Sequence, residues 1–368
     1  MMVQEDSSGL MHEVSLVYVE PSVNVEPSVN VEPSVNVEPP LVKYESPVNV
    51  ESPINVEPLV NVEPQINVEP QINRSQKTVP KIEHLVIPGG GISGLVCYGA
   101  LKESHEQGFW KIDNIKSIHG TSIGALLAVV LALKYDWETV DTYLIQRPWH
   151  TTCDFNMYSI IGSFQKRGIL DIDLFKVFLQ PLFGGMNIPM TITMQEFYER
   201  TQIDLYFYTT RFKAFNTVEI SHKTHPEWTV LEAVYASAAL PIFLAPLEKP
   251  DDYYIDGGIF LNYPLGPCLK KEGVDSTNVL GVRKNMIFQD QLTNESTLFD
   301  YILGLLNKIF YWILIKYEKK EIDHEITIDS TPISIYDLYK MMIEKSVRTD
   351  FIEQGVQAGK QFCSEYLL

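Results

Sequence analysis

The chain has 368 residues and a formal net charge of −18, and half of that charge lies in residues 1–80, where 12 acidic side chains face 3 basic ones. The rest is also acidic, 35 against 26, with no cluster of Lys and Arg, so the electrostatic footprint of a nucleic-acid binder is absent and that class is excluded. Cys97, Cys153, Cys268 and Cys363 are scattered and form no C-x-x-C pair, so neither a cysteine zinc site nor a disulfide framework is indicated, which fits a reducing compartment.

Residues 1–80 hold 11 of the 22 prolines, one glycine and two aromatic residues. Such a segment buries too little apolar surface to offset its ordering entropy. The opening residues carry neither a basic nor an apolar stretch of the secretory kind, so the expected location is the cytoplasm or the periphery of intracellular membranes. On that reading the Asn-x-Ser triplets at Asn73 and Asn294 are chance. From Val19 a hexapeptide recurs, Val-Glu-Pro-Ser-Val-Asn at 19–24, 25–30 and 31–36, and in variant form at 56–61, 62–67 and 68–73. A six-residue period is one signature of a β-helix, but a proline in every repeat and no glycine for the corners argue against it. The segment is read as an acidic, polyproline-like or disordered arm whose partner the sequence does not name.

From residue 81 short apolar runs alternate with amphipathic stretches, as in one α/β domain over 81–368. Residues 83–87 read as a buried strand and 95–106 as a helix. A second strand (115–119) and helix (123–133) follow, so the order strand, turn, helix occurs twice and predicts a mostly parallel central sheet flanked by helices. Strands are expected at 204–210 and 215–220, a helix at 230–238, and short strands at 253–255 and 278–282. The apolar stretch 297–317 is read as a helix covering the sheet, with an interfacial helix carrying Tyr311 and Trp312 as the alternative. Asp300, Asn307 and Lys308 argue against a membrane span there. One or two helices close the chain over 336–362.

Gly120-Thr121-Ser122-Ile123-Gly124 is a G-x-S-x-G pattern between a predicted strand and a predicted helix. A sharp turn there exposes the serine hydroxyl, and flanking glycines avoid collision with the packed elements on either side. The alternative is a plain small-residue turn. Gly89-Gly90-Gly91-Ile92-Ser93-Gly94 also follows a strand and precedes a helix. Consecutive glycines let several N–H groups converge on one small volume, as an oxyanion hole requires. A dinucleotide loop fits poorly, because no Walker lysine is present and no acidic residue ends a strand some 20 residues on. Asp256-Gly257-Gly258 ends a short strand with a carboxylate that could act as a base, although Asp is a weak one unless its surroundings raise its pKa.

With Ala236-Ser237-Ala238-Ala239-Leu240-Pro241, these motifs occur in an order and at separations that resemble the patatin-like phospholipase family over residues 83–285. The resemblance implies a serine acyl hydrolase that cleaves fatty acyl esters of phospholipids and related lipids through an acyl-enzyme, with no metal and no cofactor. Ser122 is then the nucleophile and Asp256 its general base. Gly89, Gly90 and Gly91 supply the oxyanion hole, with Gly94, Gly120, Gly124, Gly257 and Gly258 as supporting positions. The implied partners are an acyl-lipid substrate and a membrane surface. One departure is Ser93, which stands where the family usually has a basic residue, so a fixed positive charge at the mouth is not expected.

Two rival readings remain at this stage. A Ser-His-Asp hydrolase would need His324, the one histidine after Asp256, yet it lies in a charged stretch that reads as solvated surface. His119 reads as strand packing. A non-catalytic lipid- or protein-binding module on the same fold is the other rival.

Overall fold

The computed structural model describes residues 80–151, 167–287, 298–315, 322–331 and 335–366. The chain divides into two units, 1–70 and 71–368, and all described residues belong to the second. The repeat arm, Cys153, Asn294 and Lys316 lie outside the described residues.

Ten strands are described: β1 (His84–Ile87), β2 (Ser117–Thr121), β3 (Gly168–Leu170), β4 (Asp204–Arg211), β5 (Asn216–Ile220), β6 (Ile242–Leu244), β7 (Leu247–Glu248), β8 (Tyr253–Asp256), β9 (Val279–Met286) and β10 (Glu325–Ser330). The main sheet has the order β10-β9-β1-β2-β4-β8-β7, with β5 on β4; β3 and β6 form a separate pair. β10, β9, β1, β2 and β4 run parallel, β8 and β5 pair antiparallel with β4, and β7 pairs antiparallel with β8. The central strands are buried on both faces: every residue of β1 and β2 is buried, His84, Ser117, His119 and Thr121 included, as expected for a parallel sheet covered by helices.

The helices are α1 (Gly94–Glu106), α2 (Ile123–Ala132), α3 (Trp137–Gln146), α4 (Asp173–Gly185), α5 (Met194–Thr201), α6 (Val230–Ala238), α7 (Leu265–Cys268), α8 (Leu298–Ile315), α9 (Ile335–Ile343) and α10 (Lys345–Tyr366). α2 is nearly all apolar and buried, which suits a helix enclosed between sheet and neighbours. α1 and α10 meet through small residues: a Cβ on Gly99 would lie 2.1 Å from the Ile352 carbonyl oxygen, and one on Gly355 2.0 Å from that of Val96. α5 and α6 both begin with a capping box, Thr193 with Glu196 and Thr229 with Glu232, which satisfies the first orphan N–H groups of each helix.

Three expectations change. One face of α8 is left uncovered: among its described side chains Leu298, Tyr301, Ile302, Leu305, Ile309 and Trp312 are exposed, Leu298 by 74% and Trp312 by 64%. No described helix is long and apolar enough to cross a membrane. β9 runs four residues beyond the expected end, to Met286, and this extension carries Lys284 to the site. Residues 318–321 of the charged stretch lie outside the described residues, but His324 itself is not on the solvated surface: it is buried in step with Ile326 and Ile328, which alternate inward along β10.

Candidate active site

The register of the sheet sets the site out before any side chain is considered. Ile87 pairs with Gly120, and Thr121 with Tyr208; one step further along each strand brings Ser122 level with Thr209, which faces Asp256 across β4 and β8. Val86 pairs with Gly281, so the same count brings Gly89 level with both Ser122 and Lys284. The sequence motifs thus meet in one row at the carboxyl ends of β1, β2 and β9, where open α/β sheets place their ligands.

Ser122 occupies the sharp turn between β2 and α2 with φ 56° and ψ −122°, a conformation that costs a non-glycine residue about 1–3 kcal/mol. What holds it there is visible. Its N–H donates to Ser237 Oγ at 2.9 Å, and Ser237 in turn donates to the Tyr208 carbonyl at 2.7 Å. Gly120 and Gly124 are needed because the turn closes on itself: a Cβ on Gly120 would lie 2.5 Å from the Gly124 backbone, and one on Gly124 2.3 Å from the Ile87 carbonyl. The Ser122 hydroxyl donates to Asp256 Oδ2 at 2.6 Å.

Asp256 ends β8, is buried, and accepts the Gly258 N–H on Oδ1 at 2.6 Å. Burial pushes its pKa up to about 6, against the opposing pull of the Ser122 hydroxyl, the Gly258 N–H and the Lys284 charge. Gly257 fits because a Cβ there would strike the Tyr208 carbonyl at 2.0 Å. The carboxylate is therefore held by two donors in a setting that makes it a better base than an exposed Asp.

The glycine loop divides into two parts. The Gly89 N–H donates to the Asn262 carbonyl at 3.0 Å, so this member of the expected oxyanion hole is already committed. Gly90 (φ 148°) and Gly91 (φ 53°) adopt backbone that favours glycine. Gly91 opens a 3-10 turn, Gly91–Ser93, whose first N–H groups have no partner within the turn. Gly90, Gly91, Ser122 and Asp256 all line one cavity of about 380 Å³, whose other walls include Leu126, Leu174, Phe175, Phe178, Phe243 and Met342. A hydroxyl bonded to a buried carboxylate in the wall of an apolar cavity can accept a substrate that joins a long hydrocarbon to an ester.

The family model of the patatin-like phospholipases matches residues 85–269, half of the chain. The chain belongs to this family. Membership makes it a hydrolase acting on lipid esters. It is 26% identical to an uncharacterized protein of Acanthamoeba polyphaga mimivirus over 257 residues, 67% of this chain and 83% of that one. It is 24% identical to a probable lipid hydrolase of invertebrate iridescent virus 6 over 191 residues, half of this chain and 63% of the relative. Among solved structures, VipD from Legionella pneumophila is similar at a TM-score of 0.48 and 16% identity, over 78% of this chain and 67% of that one.

In this patatin-like chain His324 stands far from the site. It precedes β10, three strands from β2 in the sheet order and towards the opposite end, so strand spacing alone separates it from Ser122 by about 14 Å. Its ring packs edge-on against Phe109 and Tyr366 at 5.4 Å each. His324→Gln is accordingly expected to leave kcat within about twofold of wild type, whereas loss of a triad histidine costs several orders of magnitude. Rates on a soluble ester, normalised to folded protein, check this. His119 packs within the sheet as expected, stacked on Tyr206 at 4.5 Å and bonded to the Tyr208 hydroxyl at 2.8 Å, and burial pulls its pKa well below the ordinary value.

Three site residues escaped the sequence reading. Ser237 sat in a quoted motif without a role, and Asn262 lay in an unassigned loop. Lys284 lay past the expected end of its strand, although two consecutive cations after the apolar run 279–282 were the signal that the strand reaches an edge or a site.

Proposed function

We propose that the protein is a lipid acyl hydrolase of the phospholipase A type, with residues 81–368 as the catalytic domain and the repeat arm outside the chemistry. The observation that carries this reading is the 2.6 Å hydrogen bond from Ser122 Oγ to Asp256 Oδ2 beside an apolar cavity. As Ser122 Oγ attacks the ester carbonyl, Asp256 takes the hydroxyl proton. The Gly90 and Gly91 N–H groups stabilise the oxyanion, helped by the positive end of α2, which begins directly after Ser122. Collapse breaks the ester C–O bond, and the departing alcohol oxygen takes the proton from Asp256, leaving the acyl chain on Ser122. Water then repeats the sequence, releasing the fatty acid and restoring the hydroxyl.

A membrane surface as the place of work belongs to the same proposal. α8 exposes its apolar stripe and touches the Gly257–Ile259 turn next to Asp256, so a helix rich in exposed Leu, Ile and Trp borders the site where a lipid would enter.

The test is fatty-acid release from phosphatidylcholine vesicles as a function of pH. Asp256 must be ionised to accept the proton, and burial sets its pKa at about 6. kcat/KM is therefore expected to rise with pH through an apparent pKa near that value and to level off above it. A profile flat from pH 5 to 8, or no release at any pH, contradicts the reading.

A further inference from the structure

Resting on that dyad reading, we propose that Lys284 is the positioning residue of the oxyanion loop and that it works together with Ser93. The two side chains fix the two consecutive peptide planes whose N–H groups receive the oxyanion. Lys284 also supplies the positive charge that the glycine motif itself lacks at Ser93.

Lys284 Nζ donates to the Gly89 carbonyl at 3.2 Å. The Gly89 C=O and the Gly90 N–H belong to one planar trans peptide, so anchoring the oxygen in one direction aims the hydrogen in the other. The ammonium also lies against Gly90, because a Cβ there would fall 1.8 Å from Nζ. The next peptide is held in the same way: the Gly90 carbonyl accepts from Ser93 Oγ at 2.8 Å and from the Ser93 N–H at 3.2 Å, which orients the Gly91 N–H. Two carbonyls pinned on one side leave two N–H groups directed to the other.

Among the described residues two cations line the cavity, Lys284 and Arg348, and they differ in placement. The Arg348 guanidinium is engaged by backbone carbonyls at the ends of α3 and α9. Lys284 instead stands in the row of Gly89, Ser122 and Asp256. A positive charge beside a largely apolar cavity stabilises an oxyanion more than it would in water. It also helps to keep Asp256 ionised, opposing burial. Among the described residues, the groups that meet that carboxylate are uncharged: the Ser122 hydroxyl and the Gly258 N–H donate to it, and the Asn262 amide lies beside the same Gly258.

The experiment measures kcat and KM for wild type, Lys284→Met, Lys284→Arg and Ser93→Ala between pH 5 and 9. It uses two substrates, the neutral ester p-nitrophenyl butyrate and phosphatidylcholine vesicles. Lys284→Met is expected to lower kcat by about 10²-fold on both substrates with KM little changed, and to move the acid limb to higher pH. Lys284→Arg recovers part of the rate, and Ser93→Ala lowers kcat without moving the limb. Unchanged kcat and limb in Lys284→Met overturn the proposal. So does a loss confined to the phospholipid, which would assign the lysine to a head-group phosphate, or a loss that only tracks reduced thermal stability. If Lys284→Met does not fold, Ser93→Ala and Lys284→Arg decide the matter. Absence of fluorophosphonate labelling at Ser122 in the wild type would instead sink the dyad itself, independently of the lysine.

Discussion

Ser122→Ala and Asp256→Asn are each expected to lower kcat by about 10⁴-fold or more, with the fold retained. Ser122→Ala removes the attacking oxygen. Asp256→Asn keeps the shape but leaves no group to take the proton, because the carboxylate oxygen that accepts from Ser122 Oγ at 2.6 Å is the base in this account. Their stabilities are expected to differ in a way that a merely structural pair would not show. Asp256 is buried with its pKa raised from 3.8 to about 6, so the folded state binds more protons than the unfolded state between those values. Stability from this group therefore falls as pH rises through that window, and is fully lost above it. Asp256→Asn lacks the buried charge and is expected to be more stable than wild type at pH 8 by roughly 3 kcal/mol, with the gap shrinking as pH falls below 6. Urea denaturation at pH 8 and pH 5 measures both numbers. An inactive Asp256→Asn that is also less stable at pH 8 would mean that the carboxylate serves the fold first.

Arg348→Met is expected to cost about 3 kcal/mol or more. The side chain is 2% exposed. Its guanidinium donates to five carbonyls: Ile145 and Arg147 at the end of α3, and Met341, Met342 and Glu344 at the end of α9. Both ends are negative poles of helix dipoles with orphan carbonyl oxygens, so one planar cation satisfies two helix termini at once. Charged hydrogen bonds of this kind contribute about 1.5–3 kcal/mol each, and buried acceptors left without a donor lose their share. A lysine should not rescue the loss, because its compact ammonium cannot span both termini. The midpoint of urea unfolding measures this, and a shift worth less than 1 kcal/mol would refute it. Arg348 also lines the cavity, so a folded Arg348→Met is expected to show altered acyl-chain preference with Ser122 and Asp256 intact.

The legible and illegible parts of the site differ in the range of the interactions that create them. Gly120 to Gly124, Gly89 to Gly94 and Asp256 to Gly258 were readable because each is a contiguous run whose glycines mark close packing or special backbone whatever distant segment they meet. Lys284 was not, since its place beside Gly89 follows from the register of β9 on β1, and a register is a property of pairs of distant segments. The expected strand stopped at residue 282, whereas pairing with β10 carries β9 to Met286. His324 was misread for a similar reason: its charged neighbours suggested solvent, and the inward alternation of Ile326 and Ile328 that buries it had been given no strand. Residues 134–203 carried no assignment, although the Thr193 and Glu196 capping box marked the start of α5. The α8 stripe was correctly seen as apolar. Periodicity alone left its environment open, and its exposure became apparent only from the packing.

If Ser122 is the residue that becomes acylated, a long-chain fluorophosphonate should trap it in active wild-type protein, and peptide mapping by mass spectrometry reads the labelled residue. Stoichiometric labelling of the peptide containing Ser122 is expected, in step with loss of activity, and no label in Ser122→Ala. Label on any other residue, or inactivation without modification of Ser122, would contradict it.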